Sequence, residues 1–578
     1  MKKNLIDCVT KRWKVFLIFN SVLTGLWGLG LQINYSGDVW GTPEENFVKP
    51  LNISTVLCLL FLFFLNAVSL LAVAYIAQLN SWKKVGRKEA NENFLDKKTT
   101  LYGTSLVLLL IAWMPYLLSY FPGGVYVDTF GVIDMAYGMD DYGMQYLNNH
   151  HPILYTLLWR GAILVGRVFD DSLFFAVSVF QIVQYIVMAS VIAYLIVWAR
   201  ANGLNKPMTI VMLLFLMFFP LFPLYAISLW KDTLFSLALL LFVIVVADGI
   251  LKRETNCFTS TKYLLKLMLC GCLVAFLRNN GKYIVFITLF ALLGLKVNKL
   301  RQHKKMFGSF CALILTISII QGPIYDEMGF NVDKTTESLG IPMQQISHLV
   351  YYDYELTAAE REYIESIVSE KSIKEHYRPC LFDSIKWYAP DYNSGIIDQN
   401  FLQFLVYYSK MVTRHPIGAI KAYMLATVGF WAPNITDSTA YVQSYMWDNV
   451  YNLENINVLE KIVGVDIRGN VDSMKPISSA LFFLLVIYTA FALVVKKNYY
   501  KLLILLPAVA NWATVMIATP IACSLRYVYI LVLLIPIEVV LVYGADVSKN
   551  VNTGEYLRIQ QKGARCDDGR NCCFNSVF

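Results

Sequence analysis

Residues 54–78 read STVLCLLFLFFLNAVSLLAVAYIAQ, twenty-five positions without a charged side chain. Wound as a helix rising about 1.5 Å per residue, this stretch crosses a hydrocarbon core roughly 30 Å thick. It is one of many. Over all 578 residues, 57% belong to the hydrophobic set and 16% carry charge, with mean hydropathy +0.51. Soluble chains run nearer about 45–50% apolar and about 25% charged, so a soluble enzyme is excluded. Further apolar runs lie near residues 15–33, 100–118, 173–198, 207–226, 230–250, 263–277, 281–297, 306–323, 477–495, 501–518 and 527–545. They read as an all-α polytopic membrane protein, a bundle of about twelve helices.

The net charge of +8 comes from lysines and arginines gathered between spans, and nucleic acid is not implied. With the N-terminus cytoplasmic, the inside loops hold Lys83, Lys84, Arg87, Lys88, Lys97 and Lys98, then Arg200 and Lys206. Lys252 and Arg253 follow, then Lys299, Arg301, Lys304 and Lys305, then Lys496, Lys497 and Lys501. That is the positive-inside pattern. It predicts a multi-pass protein of the cell membrane with both termini cytoplasmic. The basic start (Lys2, Lys3, Lys11, Arg12, Lys14) is followed by no small-residue cleavage site and reads as an uncleaved anchor.

Two stretches stand apart from the spans. Residues 151–169 are apolar, but counting them as a span would invert every later loop. They are therefore read as an interfacial helix, with Pro152 in its first turn and Arg160 and Arg167 on one face. Between Pro323 and Lys475 the net charge is −8, leaving +16 on the remainder. This asymmetry marks an exported domain. It is expected to be mostly helical, with a capping box at Thr357 and Glu360 and apolar Tyr363, Ile364, Ile367 and Val368 behind it.

The eleven cysteines show no paired spacing in the outer segments, and Cys566, Cys572 and Cys573 of the tail fit no zinc pattern. Chemistry is sought where charges press against the outer ends of spans, because such residues are costly without a task. Four places qualify. The first loop reads FPGGVYVDTFGVIDMAYGMDDYGMQYLNNHHP at 121–152; the others are SLWKD at 228–232, RNNGKY at 278–283 and SLRY at 524–527. Asp128 could act as a general base at the water–membrane boundary, or cap a loop helix. His150 and His151 could ligate metal, bind phosphate or cap the next helix. Lys231, Arg278, Lys282 and Arg526 either snorkel to headgroups or converge, with Arg160 and Arg167, on a lipid phosphate. No phosphate-binding glycine loop and no nucleophile elbow is found in the sequence.

These features together resemble the GT-C-fold membrane glycosyltransferases, which use polyprenyl-phosphate-linked sugars. More closely, YVDTF at 126–130, NHHPILYTLL at 149–158, WKD at 230–232 and IPMQQI at 341–346 are similar to an uncharacterised, mostly Gram-positive bacterial family described as glycosyltransferase-like. The closer resemblance runs over roughly residues 100–545, the fold-level one mainly over 100–325.

The resemblance implies an inverting transfer of sugar from a polyprenyl-phosphate donor to a cell-envelope glycan or protein on the outer face. Asp128 matches the activating carboxylate. His150, His151, Arg160, Lys231, Asp232, Arg278, Lys282 and Arg526 would bind substrate or phosphate, and membrane lipids surround the bundle. Thr129 stands where better-known members have an adjacent acidic residue, so no cofactor is assigned and a divalent metal is left open. The layout expected is an anchor with two spans and a basic loop (1–99), a GT-C-like module (100–323) with its first outer loop at 119–172, the extracytoplasmic domain (324–476), C-terminal spans (477–545) and a cytoplasmic tail (546–578). The alternative is a transporter or flippase of a lipid-linked or anionic glycan. It would predict matched broken spans in two halves, and no such pair stands out. A polymerase of lipid-linked oligosaccharides would share the same site.

Overall fold

The computed structural model describes residues 12–50, 52–82, 97–170, 172–251, 257–294, 304–330, 339–437, 446 and 449–544. Outside the described residues lie Lys83, Lys84, Arg87, Lys88, Lys252, Arg253, Lys299 and Arg301, and the tail with Cys566, Cys572 and Cys573.

The chain is helical almost throughout. After α1 (Trp13–Leu31), β1 (Ile33–Asn34) and β2 (Phe47–Val48) pair antiparallel with Ile33 opposite Val48, and α2 (Ile53–Trp82) follows. Next come α3 (Lys98–Ser119), α4 (Val127–Tyr142), α5 (Ile153–Gly166), α6 (Leu173–Ala201), α7 (Lys206–Phe218), α8 (Leu221–Ile227), α9 (Lys231–Leu251), α10 (Thr261–Leu277) and α11 (Gly281–Gly294). α12 (Lys304–Glu327) carries a π-helical turn at Ile320–Ile324 around Pro323. The next segment holds α13 (Gly340–Tyr351), α14 (Ala358–Ile367), α15 (Phe401–Arg414), α16 (Pro416–Ala426) and α17 (Val458–Val463), with shorter turns between them. The chain closes with α18 (Ser479–Val495), α19 (Leu506–Ala518) and α20 (Ile530–Tyr543).

Among the described residues, six helices are long and apolar enough to cross a membrane: α1, α2, α3, α6, α9 and α12. The pair α7 and α8, bent by 49°, makes a seventh if read as one broken span. The break falls at Pro220, which lacks an amide proton and forces Phe219 into extended backbone (ψ 116°). Five shorter apolar helices accompany them: α5, α11, α18, α19 and α20. This is an all-α, membrane-type protein.

Burial sorts the helices. α2 leaves Leu57, Leu60, Phe61, Phe64 and Val68 exposed, as a lipid-facing helix does. α9 is buried on nearly every side, from Asp232 to Ile250, and stands at the centre of the bundle. Its first turn therefore lies deep between neighbours at one end of the bundle. α5, expected as an interfacial helix, has 14 residues and a length of about 21 Å, short of the roughly 30 Å core. It packs Tyr155, Trp159 and Ile163 against α4 and α6 and leaves Leu157, Leu158, Leu164 and Val165 exposed.

A separate hydrophobic cluster is built from Leu339 to Met411, with Tyr377, Phe382 and Phe404 fully buried. The capping box forms: Thr357 Oγ1 accepts from Glu360 N at 3.3 Å, and Glu360 Oε2 accepts from Thr357 N at 2.8 Å. Leu425, Val428, Phe430 and Trp431 instead join the main core with the long helices. The segment thus has a core of its own and a second part rooted in the bundle.

Candidate functional site

The site is assembled on a turn whose backbone is gripped from four sides. Gly124 N donates to Ile227 O at 2.9 Å, and Leu229 N donates to Gly124 O at 3.0 Å. Gly123 sits at φ +132°, a conformation that strains any residue with a Cβ, and a Cβ there would also displace the end of Gln181, 2.2 Å away. From α6, Gln184 Nε2 donates to Ser228 O at 2.8 Å and to Ala226 O at 3.2 Å, and Gln181 Nε2 donates to Ala226 O at 3.1 Å. The hydroxyls of Thr129 and Tyr155 both donate to Leu229 O at 2.8 Å. Carbonyls left open at the end of α8 and in the turn before α9 are thereby satisfied inside apolar surroundings. The turn is fixed, and with it the direction of Lys231 and Asp232.

On this base the charged groups converge. Asp128 occupies the second position of α4, after an N-cap, Tyr126, that makes no side-chain cap. Its Oδ2 lies 2.9 Å from Arg526 Nη1, and its side chain is 40% exposed against 13% for the arginine. Asp232 is fully buried, 2.6 Å from Arg278 Nη1 and 4.0 Å from Arg526 Nε. Lys231 Nζ lies 3.2 Å from His151 Nδ1, and His151 is buried. Three cations face two carboxylates, so the group carries excess positive charge.

Burial would push the Asp128 carboxyl up, but Arg526 and Lys231 together hold it well below the usual carboxylate range. Burial and the neighbouring Lys231 hold His151 far below the ordinary imidazole value, so the ring is neutral. A neutral ring next to an ammonium accepts from it through Nδ1, leaving Nε2 as the protonated nitrogen. Asp232 pairs with Arg278 by charge alone: neither of its oxygens, nor Arg278 Nη1, has a hydrogen-bond partner of good geometry.

Aromatic rings frame the guanidinium groups. Arg526 lies over Trp230 (5.1 Å) and Tyr527 (5.0 Å), Arg278 lies over Tyr527 (4.9 Å) and Phe235 (5.6 Å), and Tyr126 stacks on Trp230 at 4.1 Å. These residues went unassigned in the sequence reading. The signal was present all the same, because Trp230 and Tyr527 each adjoin a charged residue of a quoted motif and Tyr126 stands two positions before Asp128. The two buried glutamines of α6, three residues apart in an apolar run, were likewise legible.

Asp128, His151, Lys231, Asp232, Arg278 and Arg526 are thus brought together from sequence positions 398 residues apart at the extreme. His150 packs edge-on against His151 at 4.6 Å. Two expected members stand elsewhere. Arg160 bonds Asp140 and donates to Ala136 O at 3.2 Å, and Arg167 also binds Asp140, at 2.7 Å. The arginine face of α5 is therefore turned onto α4. Lys282 lies over the ring of Tyr283 at 5.4 Å, at the start of α11. Among the described residues no group of three or more His, Cys, Asp or Glu side chains could hold a metal ion.

Beside the cluster runs an apolar cavity of about 400 Å³ between α5, α6, α9 and α10. Gln184, Leu234 and Leu277 line it, and Leu234 and Leu277 are near neighbours in sequence of Asp232 and Arg278. Gly161 borders it with open space where a Cβ would be.

Fold and site together define an all-α membrane protein with an ionic cluster at one end of its bundle. The chain belongs to the family of unknown function DUF6020, whose model matches residues 126–556. That range opens two residues before Asp128 and takes in the whole cluster, leaving α1 to α3 outside it. No curated protein and no solved structure matches the chain.

Proposed function

We propose that the protein is a GT-C-like glycosyltransferase of twelve spans that moves a sugar from a polyprenyl-phosphate donor to a cell-envelope acceptor. Its termini are cytoplasmic, and the cluster around Asp128 lies on the outer face. The observation that carries this reading is the adjacency of two unlike environments. A net-positive, partly exposed ionic cluster suits a phosphate, and an apolar cavity a few residues away suits a prenyl chain.

In the proposed reaction Asp128 takes the proton of the acceptor hydroxyl as its oxygen attacks the anomeric carbon. The bond between that carbon and the phosphate oxygen breaks, and the leaving phosphate keeps the electron pair. Arg526, Arg278 and Lys231 stabilise the charge that develops there. A carboxylate clamped by Arg526 is a poor base. When a donor phosphate draws Arg526 away, burial raises the basicity of Asp128. Donor binding thereby prepares the base.

The test is release of labelled sugar from a polyprenyl-phosphate donor by the purified protein in lipid nanodiscs. Release with inversion at the anomeric carbon supports the reading. Movement of intact donor across the bilayer without release would replace it with the transporter.

A further inference from the structure

We infer that helices α15 and α16 lie in the leaflet at the site's end of the bundle, as a monotopic membrane contact. The inference is independent of the proposed chemistry. The first two turns of α15 bury Phe404 against the neighbouring helical core, yet leave Leu402 (74%), Leu405 (39%) and Val406 (50%) exposed. These three share one face at helical spacing. α16 adds Ile417 (68%) and Ile420 (57%). Isolated exposed apolar residues need no explanation, but five on consecutive helices form a patch that does.

The occupant is lipid because the patch continues the lipid-facing surface of the bundle. α16 packs against β2, whose last residue, Val48, lies five positions before the start of α2 at Ile53, itself 81% exposed. At its other end α16 delivers Leu425 to the main core. Just beyond, Gly429 O accepts from Ser479 Oγ at 2.6 Å, at the head of α18. Ile420 is five residues from Leu425, about 8 Å along the helix. The patch therefore sits level with the ends of the spans.

The β1–β2 hairpin on which α16 packs carries the chemistry of a membrane interface nearby. Trp387 (63%) and Tyr388 (59%) are exposed, Lys386 Nζ lies 4.5 Å over the Trp387 ring, and Trp40 from the loop after α1 meets Tyr388 edge-on at 5.4 Å. Aromatic rings and snorkelling lysines occupy the headgroup level of membrane proteins. The later turns of α15 are polar, with Ser409, Lys410 and Thr413 exposed.

The experiment places an environment-sensitive NBD fluorophore on single cysteines at Leu402 or Ile417, in full-length protein whose reactive native cysteines are replaced by alanine. Asp353 and Lys374, an exposed ion pair of the same segment, serve as water-exposed controls. The proteins are reconstituted in phosphatidylcholine–phosphatidylglycerol nanodiscs with and without lipid carrying a doxyl quencher at acyl carbon 5. Emission at 402 and 417 is expected to fall about twofold with the quencher and to stay constant at 353 and 374. Water-like, unquenched emission at 402 and 417 overturns the inference. Blue-shifted emission that the doxyl lipid fails to quench overturns it too, by showing that protein, such as a second copy, covers the face.

Discussion

Arg526 Nη1 stands 2.9 Å from Asp128 Oδ2 and joins the first turn of α4 to the short turn just before α20. The guanidinium is the more buried partner and also reaches Asp232 at 4.0 Å. It is therefore shared between an exposed carboxylate and a buried one. A phosphate entering from the Asp128 side competes for an arginine already oriented by Trp230 and Tyr527.

Arg526→Ala is expected to weaken binding of a polyprenyl-phosphate sugar ten- to a hundredfold, since a hydrogen bond to a charged group is worth about 1.5–3 kcal/mol. Titration of the donor into nanodisc-held protein measures this. Unchanged affinity would reduce the residue to a structural ion-pair partner.

For Asp128→Asn, shape and much of the hydrogen bonding stay while the base is lost. Donor affinity should survive and turnover should fall by roughly a hundred- to ten-thousandfold. Asp141→Asn in the same helix should have little effect. Asp140→Asn serves as a separate control: it frees Arg160 and Arg167 and should loosen the α4–α5 contact without touching chemistry. Full sugar release by Asp128→Asn would rule out the proposed base.

The composition was enough to identify a helical membrane protein, because apolar runs of span length have few other uses. The motif residues Asp128, Lys231, Asp232, Arg278 and Arg526 were legible as charges at the ends of apolar runs. Their pairing was not, since nothing local joins position 128 to position 526. Arg160 was misplaced for a physical reason. Its seven-residue spacing to Arg167 correctly gave a shared face, but one sequence cannot say that Asp140 of the preceding helix would occupy that face. The shortness of α5 and the break before α8 show how apolarity alone marks membrane segments without fixing their ends.

Asp232→Asn is expected to destabilise the fold more than any exposed-pair change, because it leaves Arg278 with no counter-charge at a fully buried site. Breaking one side of a buried pair costs about 3–5 kcal/mol. Arg278→Gln should cost a similar amount, and the double variant should cost less than the sum. Thermal midpoints of the three variants in nanodiscs test this. Additive losses would mean that the 2.6 Å contact contributes no coupling.

His348 of α13 is buried, shares a hydrogen bond with Tyr377 at 3.1 Å, and is pushed down by burial to about 4. Its folded value lies below the unfolded one near 6.5, so the unfolded chain binds the proton first as pH falls. Stability should therefore be full above about pH 6.5 and decline towards pH 4, by a total on the order of 3 kcal/mol. His348→Gln should flatten the thermal midpoint over this window relative to the parent. Equal slopes in both would show that other groups set the acid sensitivity.

The apolar cavity gives the last prediction, because Gly161 leaves room in it for a side chain. Gly161→Leu should fill part of the roughly 400 Å³ between α5, α6, α9 and α10. Loss of the glycine from a helix interior also favours α5 by about 1 kcal/mol, so the variant should fold at least as well as the parent. If the cavity holds the prenyl chain, affinity for a long-chain polyprenyl-phosphate sugar should drop at least tenfold. Affinity for a short-chain analogue, whose binding rests on the phosphate and sugar, should change less than twofold. Arg526→Ala should give the converse pattern and weaken both donors alike, since the phosphate is common to them. The two variants together separate tail recognition from headgroup recognition. Equal loss for both donors in Gly161→Leu would mean that the substitution had disturbed the Lys231 turn through Gln184 and Leu234, and undiminished long-chain binding would leave the cavity without a part in donor capture.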